Sequence, residues 1–154
     1  MIATQPLKRV KELQSLSREH HHGLLLCWKI RTGFAKNVSP VRMKRYTDWF
    51  YMKYLLPHFE LEEEYVFPVL KKDHELIRKA LTDHRRLRRL FNQSINIELN
   101  LGLIEEELEA HIRFEERVLF PEIQNSATSE QLEKISEIHK EDRFVENVKD
   151  IFWE

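Results

Sequence analysis

The chain has 154 residues, with 25 Lys and Arg against 26 Asp and Glu, and a formal net charge of -1. Its length suits one domain, and its near-zero charge excludes an electrostatic basis for binding nucleic acid or an anionic membrane. No stretch has the length and apolarity of a membrane span or a signal peptide, and the single cysteine, Cys27, excludes a disulfide framework and cysteine-rich metal sites, so we expect a soluble cytoplasmic protein.

Composition and apolar spacing predict an all-α protein. Only 3 Gly and 5 Pro interrupt the chain, and apolar residues recur at helical spacing throughout. We expect a first helix from about Ser17 to Lys36 and a second, long helix that begins at Pro40, directly after the N-cap Ser39. Because proline removes a backbone hydrogen bond and collides with the preceding turn, we expect bends near Pro57 and Pro68.

The second half of the chain predicts three more helices. A turn near Lys72 leads to a third helix, and Asn100 to Gly102 separates it from a fourth. Thr128 and Gln131 form a capping-box signature, which predicts a fifth helix over about 129–150. Its apolar stripe consists of Leu132, Ile135, Ile138 and Val145. Short connections favour an up-down antiparallel four-helix bundle over about 17–125, within one domain of residues 1–154, with the fifth helix packed across it.

One motif occurs twice in the chain. The copies are His58-x-x-x-Glu62-Glu63-x-x-x-Phe67-Pro68 and His111-x-x-x-Glu115-Glu116-x-x-x-Phe120-Pro121. Residues four apart share one face of a helix, so each copy points an imidazole and a carboxylate at the same place. In each half of the chain, the predicted helix before the motif contains an acidic residue followed by histidine. These segments are Glu19-His20-His21 and Asp83-His84. The two halves of the chain therefore read as a pseudo-repeat of a helix pair.

Four imidazoles and two carboxylates together indicate a dinuclear metal site. Imidazole binds iron, zinc, copper and nickel, and carboxylates can bridge two cations and offset their charge. Six protein ligands leave coordination positions open on two ions, where oxygen, nitric oxide, peroxide or hydroxide could bind. The residues three before His20, His58, His84 and His111 are Ser17, Leu55, Leu81 and Leu108, so these histidines do not support the Glu-x-x-His ligation of ferritin-like proteins. The His-Glu-x-x-His pattern of zinc proteases is absent from the chain.

The repeated motif resembles the hemerythrin-like HHE cation-binding domains. The resemblance covers Ser17 to Gln124 and is strongest over His111 to Pro121. It implies an up-down four-helix bundle that holds two iron ions in a non-haem, oxo- or hydroxo-bridged centre, with zinc or manganese as possible substitutes. By position, the resemblance assigns five of the metal ligands: His58, His84, His111 and the bridging carboxylates Glu62 and Glu115.

The ligand from the first helix stays open between two neighbouring histidines. Glu19-His20 matches the acidic-His pair of the family. However, the other three histidines each have an apolar residue three positions later, and only His21, followed by Leu24, repeats that spacing. The spacing slightly favours His21, and His20 remains the alternative.

The chain also departs from the oxygen-carrying members of the family. Those have a second histidine four residues from the third-helix ligand, where this chain has Ala80 and Arg88 around His84. They also have an aspartate where Glu116 stands, five residues after His111. The chain therefore resembles the four-His, two-Glu subgroup. We expect sensing, iron handling, or reaction with nitric oxide or peroxide rather than reversible oxygen storage.

Two classes of function stay open at this stage. In the first, the centre reacts with or senses a small oxidant, as an enzyme or as a sensor. In the second, the protein is a regulatory or structural module in which the metal only holds the bundle together. The sequence identifies no protein partner, and a homo-oligomer is compatible with it.

Some remaining residues are weaker candidates for a role at the site. Tyr54, four residues before His58, could hydrogen-bond a metal-bound ligand, and Cys27 could line a pocket, although core packing is favoured for both. Three further histidines are expected in loops or on the surface: His22, His74 and His139.

Overall fold

The computed structural model describes residues 8–139 and 143–154, and these ranges contain helices and no strand. The first bundle helix is α1, Lys11–Ala35, which begins earlier than predicted. The second consists of α2 (Pro40–Phe50), a π-helical turn (Tyr51–Leu55), α3 (Leu56–Leu61), a second π-helical turn (Glu62–Val66) and a 3-10 turn (Phe67–Val69). The third is α4, Glu75–Asn92. The fourth consists of α5 (Ile97–Phe114), a π-helical turn (Glu115–Leu119) and α6 (Phe120–Ser126), and a C-terminal helix, α7 (Ser129–Ile138), follows.

The predicted all-α bundle with an additional C-terminal helix is confirmed. Helix α5 packs against α1, α2 and α4, and α7 packs across α1 and the second bundle helix. The predicted capping box is also present, since the Thr128 side chain accepts a hydrogen bond from the Gln131 N–H, and the Gln131 side chain accepts one from the Thr128 N–H. None of the helices in the described ranges is long and apolar enough to cross a membrane.

The break predicted at Asn100 to Gly102 is wrong. Helix α5 already begins at Ile97, and the chain reverses just before it, where Asn96 adopts a left-handed backbone with φ 53°. Asparagine tolerates this conformation better than most residues, because its short side chain can hydrogen-bond locally. Asn100 lies within the helix, where its amide donates to the Ile95 carbonyl at 2.8 Å and stabilises the first turn.

The fifth helix is shorter than the predicted span of about 129–150. It ends at Ile138, and residues 143–154 are not helical, while residues 140–142 lie outside the described residues. Ile135 is buried, but Val145 is 62% exposed, so the predicted apolar stripe does not continue. Instead, the backbone N–H of Val145 donates to the Tyr54 hydroxyl at 3.0 Å, which replaces a helical hydrogen bond.

Each of the three π-helical turns precedes a proline inside a helix: Pro57, Pro68 and Pro121. The residue before the proline donates its N–H to the carbonyl five residues back, as Phe67 does to Glu62. The wider turn keeps the proline ring away from the carbonyl that an α-helical turn would place against it. Where the sequence predicted bends at Pro57 and Pro68, the structure has these widened turns. Two of them begin at the glutamates of the repeated motif, Glu62 and Glu115.

The C-terminal segment, residues 143–154, lies against the first two bundle helices. Phe152 is buried beside Gly33 and Met43. A Cβ atom added at residue 33 would collide with the side chains of Met43 and Phe152. The Lys29 ammonium, itself buried, donates to the Glu146 carboxylate at 2.6 Å and lies 4.3 Å from the centre of the Trp153 ring. This segment therefore docks on the bundle of its own chain.

Candidate metal centre

Six polar side chains lie in the middle of the bundle, and each is at most 5% exposed: His20, His58, Glu62, His84, His111 and Glu115. They come from all four bundle helices. Their nitrogen and oxygen atoms form two four-residue groups that share both glutamates, and the atoms of each group lie within 4.8 Å of one another. Five of them were assigned from the sequence, His20 was the alternative to His21, and the structure brings the six together.

The four imidazoles face one another in pairs. The His20 and His58 Nε2 atoms lie 3.2 Å apart, and the His84 and His111 Nε2 atoms lie 3.1 Å apart. Two nitrogens bound to one cation at about 2.1 Å with an angle of about 90–110° would be about 3.0–3.4 Å apart. Each pair therefore has the spacing of two ligands on one ion.

Both glutamates reach across the two imidazole pairs. The Glu62 Oε1 atom lies 3.3 Å from His58 Nε2 and 3.4 Å from His84 Nε2. The Glu115 Oε1 atom lies 3.0 Å from His20 Nε2 and 3.2 Å from His111 Nε2. Each carboxylate thus lies close to one imidazole of the first pair and one imidazole of the second, which is the position that a bridging ligand needs.

Some oxygens of these glutamates are buried without a hydrogen bond. Neither oxygen of Glu62 nor the Oε2 atom of Glu115 has a hydrogen-bond partner in the described part of the chain. Burying a carboxylate oxygen without a partner is costly. A cation between the carboxylates and the imidazoles would remove this cost, so the residues present fit a metal.

The second ring nitrogen of each imidazole faces an outer carboxylate. The Nδ1 atoms of His58 and His84 lie 2.7 Å from Glu19 and Glu63, that of His111 lies 3.0 Å from Asp83, and that of His20 lies 3.7 Å from Glu116. At His58, His84 and His111 the carboxylate lies within hydrogen-bond distance, so it holds the proton on Nδ1 and leaves the lone pair of Nε2 directed at the centre. This is the arrangement that metal-binding histidines have in proteins. The 3.7 Å separation at His20 is too long for a hydrogen bond.

The outer carboxylates follow a regular order around the bundle. The histidines of the second, third and fourth helices each face an acid on the preceding helix. The histidine of the first helix faces Glu116 on the fourth, which closes the ring. The sequence signals for this ring were the second glutamate of each motif and the acids before His20 and His84, but the sequence did not show which histidine each acid would face.

Each outer carboxylate also contacts a basic side chain. The four pairs are Glu116 with Arg9 at 3.3 Å, Glu63 with Arg88 at 2.8 Å, Asp83 with Lys79 at 2.8 Å and Glu19 with His139 at 3.2 Å. His139 lies in the loop directly after α7, as expected of a surface or loop residue, but its side chain is only 9% exposed. Among these four, His139 is the only basic group without a permanent charge.

The charges at the centre favour a cation. Burial alone would lower the pKa of His111, but the charge of Glu115 and the hydrogen bond to Asp83 outweigh it and raise that pKa to about 10. Burial would likewise lower the pKa of His58 and His20, yet nearby carboxylates raise both. Six carboxylates meet only three permanently charged basic groups, so the metal-free site attracts protons, and a metal would compete for the same positions.

The slight preference for His21 as the first-helix residue is corrected by the structure. His20 is buried in the cluster, whereas His21 is exposed on the outside of α1. The spacing argument fails because the residue three after His20 is Gly23. A Cβ atom at Gly23 would lie 2.8 Å from Ile112 Cδ1, so the close approach of α1 and α5 favours glycine where the other helices have an apolar side chain.

The weaker candidates lie outside the six-residue cluster. Cys27 is buried in the apolar core, and burial raises the pKa of its thiol to about 12. Tyr54 accepts a hydrogen bond from Val145 in the C-terminal segment. His74 caps α4 by accepting a hydrogen bond from the Leu76 N–H at 3.1 Å, and His22 stacks on Phe144 with ring centres 4.3 Å apart.

Comparison with known proteins gives one positive finding. A family model described as the hemerythrin HHE cation binding domain matches residues 12–97 and 81–151. The two matches overlap in the third helix and together include all six residues of the cluster. No match was found among curated proteins or among solved structures.

Proposed function

The chain belongs to the hemerythrin HHE cation-binding domain family, and we propose that it binds two iron ions at the six-residue cluster and senses or reacts with oxygen, nitric oxide or peroxide there. The family binds cations, and the buried histidines and glutamates could hold a metal. Zinc and manganese are possible substitutes, and a cytoplasmic location belongs to the same proposal.

The observation that carries this proposal is the pair of four-residue groups that share Glu62 and Glu115. A single ion would occupy one four-residue group and leave the other pair of imidazoles without a cation. Two ions satisfy both pairs, and the shared carboxylates offset part of the charge. Mixed nitrogen and oxygen ligands without thiolate suit iron in this role.

The residues of the chain position and isolate the ions. The outer carboxylates fix the imidazole orientations, and the apolar rings of Phe59 and Phe120, which stack on His84 and His20, separate the centre from bulk solvent. When bound, iron would supply a Lewis-acidic, redox-active position for a small ligand. Six protein ligands leave room for such a ligand on two ions.

A second candidate function is a module in which the metal is only structural. It is favoured by the origin of the six ligands, because they join all four bundle helices. A metal that binds only the folded protein stabilises it by linkage, whatever further chemistry follows. In this case the centre would bind metal without responding to oxidants.

Metal analysis of variants tests the proposal. Purified protein reconstituted with iron should contain close to two iron ions per chain. His20→Ala should lose iron, whereas His21→Ala, one residue away on the exposed face, should keep it. Full iron content in His20→Ala, or no iron in the unaltered protein, would contradict the proposal.

Spectroscopy separates the two functions. Nitric oxide or peroxide added to the reduced, iron-loaded protein should change its charge-transfer absorbance if a coordination position is open. An iron-loaded protein that does not respond would support the structural module instead.

A further inference from the structure

A row of aromatic rings in mutual contact runs from the second bundle helix to the C-terminal segment. The members of this aromatic row are, in order, Tyr54, Trp49, Tyr46 and Trp153. The centres of successive rings lie 5.6, 5.3 and 5.0 Å apart, which is within the range of direct aromatic contact. The aromatic row contains two of the three tryptophans and two of the four tyrosines of the chain. Tryptophan and tyrosine are the aromatic side chains that lose an electron most easily, so the row connects oxidisable rings by short steps.

The aromatic row begins beside the metal cluster and ends near the surface. Tyr54 precedes His58 by four residues, and both side chains line one internal cavity. Tyr46, in the middle, is 3% exposed, whereas Trp153 at the other end is partly exposed. Electron transfer slows steeply with distance, so several short steps between oxidisable rings are faster than one long step. The aromatic row thus provides a path between the interior and the surface.

Tyr46 has the proton acceptor that oxidation of a phenol requires. A tyrosine that loses an electron becomes strongly acidic and must also release its hydroxyl proton. The Tyr46 hydroxyl donates to Glu146 Oε1 at 2.5 Å and accepts from the Lys29 ammonium at 2.7 Å. Burial and the hydrogen bond to Glu146 raise the pKa of Tyr46 above its ordinary value of 10, so the resting side chain keeps its proton. Glu146 is therefore placed to take that proton when the electron leaves.

The charges around Tyr46 are balanced. The Lys29 ammonium lies 4.9 Å from the centre of the Tyr46 ring and 4.3 Å from that of Trp153. A lone cation at this position would oppose the removal of an electron from either ring. The Oε2 atom of Glu146 lies 2.6 Å from the ammonium and offsets its charge, while the Oε1 atom stays on the Tyr46 hydroxyl.

We propose that the aromatic row carries a single oxidising equivalent between the edge of the metal cluster and Trp153, with Glu146 taking the proton of Tyr46. In the central step, an oxidised Trp49 gains one electron from Tyr46 and one proton from water, and the Tyr46 proton moves to Glu146. Tyr46 is then a neutral radical. Trp153 restores it by giving up one electron, the proton returns from Glu146, and the indole N–H proton of Trp153 leaves to water. A thiol in solution can restore Trp153 by giving up one electron and one proton.

The physiological role of the aromatic row rests on the proposed function. Peroxide takes up two electrons and two protons to become two molecules of water. With one of these electrons taken from ferrous iron, the other comes from Trp153 through the row, together with the proton of its indole N–H, and the second proton comes from solvent. The row would thereby move an oxidising equivalent away from the imidazoles of the cluster.

Pulse radiolysis of metal-free protein tests the aromatic row without iron. Azidyl radicals in an azide solution take one electron from tryptophan and become azide. Trp28→Phe is the background for this measurement, because Trp28 is 49% exposed and lies outside the row. The absorbance of the tryptophan radical should then decay as that of a tyrosine radical appears, at a rate that does not depend on protein concentration.

Two variants in this background identify the residues that act. Tyr46→Phe should slow the conversion severalfold, because it removes the hydroxyl and keeps the ring. Glu146→Gln keeps all four rings and should also slow it, since an amide does not take up the proton. Tyr51→Phe is the matched control, because Tyr51 is also 3% exposed but stacks on Phe91 and should leave the rate unchanged. Unchanged rates in Tyr46→Phe and Glu146→Gln, or a rate that rises with protein concentration, would overturn the proposal.

Peptide mapping of iron-loaded protein after peroxide treatment tests the connection to the cluster. An oxidant that acts from solution should modify Trp28 more than Trp153, because Trp28 is the more exposed of the two. Transfer through the aromatic row should instead modify Trp153 more than Trp28. Trp49→Phe, which interrupts the row, should return the greater modification to Trp28.

The outcomes separate this inference from the function on which it rests. If iron-loaded protein does not react with peroxide, the proposed function fails, and pulse radiolysis still decides whether the aromatic row carries an oxidising equivalent. If peroxide reacts but Trp28 is modified more than Trp153 in the unaltered protein, the inference is overturned while the metal centre stands.

Discussion

The Glu19 Oε1 atom on the first bundle helix lies 2.7 Å from the Nδ1 atom of His58 on the second. This contact joins two helices and fixes one imidazole of the cluster. Equivalent contacts join His84 to Glu63 and His111 to Asp83. His20 on the first bundle helix faces Glu116 on the fourth, which closes the ring of contacts. The ring means that each helix orients a candidate metal ligand of its neighbour, so bundle packing and metal binding depend on the same contacts.

Removing the charge of an outer carboxylate should weaken metal binding without removing a ligand. We expect Glu19→Gln to lower metal affinity about 10- to 100-fold, which is the usual effect of changing an outer partner of a metal-binding histidine. Competition with a chelator measures the loss. Glu60→Gln, an exposed glutamate on the same bundle helix as His58, is the control and should have unaltered affinity. Equal affinity in both variants would show that the Glu19–His58 contact has no influence on the metal.

Metal affinity should survive replacement of His139, the basic partner of Glu19, by arginine but not by alanine. His139→Arg should preserve metal affinity, because Arg or Lys occupies the corresponding position at the other three outer carboxylates. His139→Ala should reduce the affinity, though less than Glu19→Gln. Chelator competition on both variants tests this order. A loss in the arginine variant as large as that in the alanine variant would contradict it.

Metal binding and protons should compete at the cluster. In the metal-free protein the pKa of His111 is raised to about 10 from an ordinary value of 6.5, so its protonated form stabilises the fold. A raised pKa contributes stability that is complete below pH 6.5 and is lost as the pH rises through 10. The melting temperature of metal-free protein should therefore fall across this window more steeply than that of metal-loaded protein. Parallel curves would contradict the competition, and metal affinity should rise with pH over the same range.

Glycine is required at one helical position and not at another. We expect Gly23→Ala to destabilise the protein by about 1–3 kcal/mol, because overpacking a filled core has costs of this size. Its Cβ would lie 2.8 Å from Ile112 Cδ1, and Ile112→Val, which deletes that methyl, should restore part of the loss. Gly102→Ala is the matched control, since nothing lies within 4 Å of its Cβ position. That control should stabilise the protein by about 0.4–1 kcal/mol in urea denaturation.

The buried thiol should be unreactive in the folded protein. Burial raises the pKa of Cys27 to about 12, so almost no thiolate is present at pH 8. Iodoacetamide should modify the chain slowly until a denaturant is added, which mass spectrometry can follow. Modification of native protein at the denatured rate would show that Cys27 is accessible.

Much of the fold and five of the six residues of the cluster could be predicted from the sequence, which left the sixth open between His20 and His21. Helical spacing, the helix start after Ser39, the capping box at Thr128 and the repeated His-x-x-x-Glu motif are local features, which depend on residues within a few turns of one another. The end of α7 could not be predicted in the same way. Its continuation was replaced by contacts of Val145 and Glu146 with distant helices, and no local pattern contains those partners.

The sequence by itself determined the donor set, because a histidine and a glutamate four residues apart share a helix face whatever surrounds the helix. Only the tertiary structure decided between His20 and His21, since adjacent residues differ by about 100° around the helix and the buried direction is set by the close approach of α1 to α5 at Gly23. Tertiary packing likewise decided which acid faces each imidazole. Those properties depend on distances between helices, which the spacing of residues along one helix does not contain.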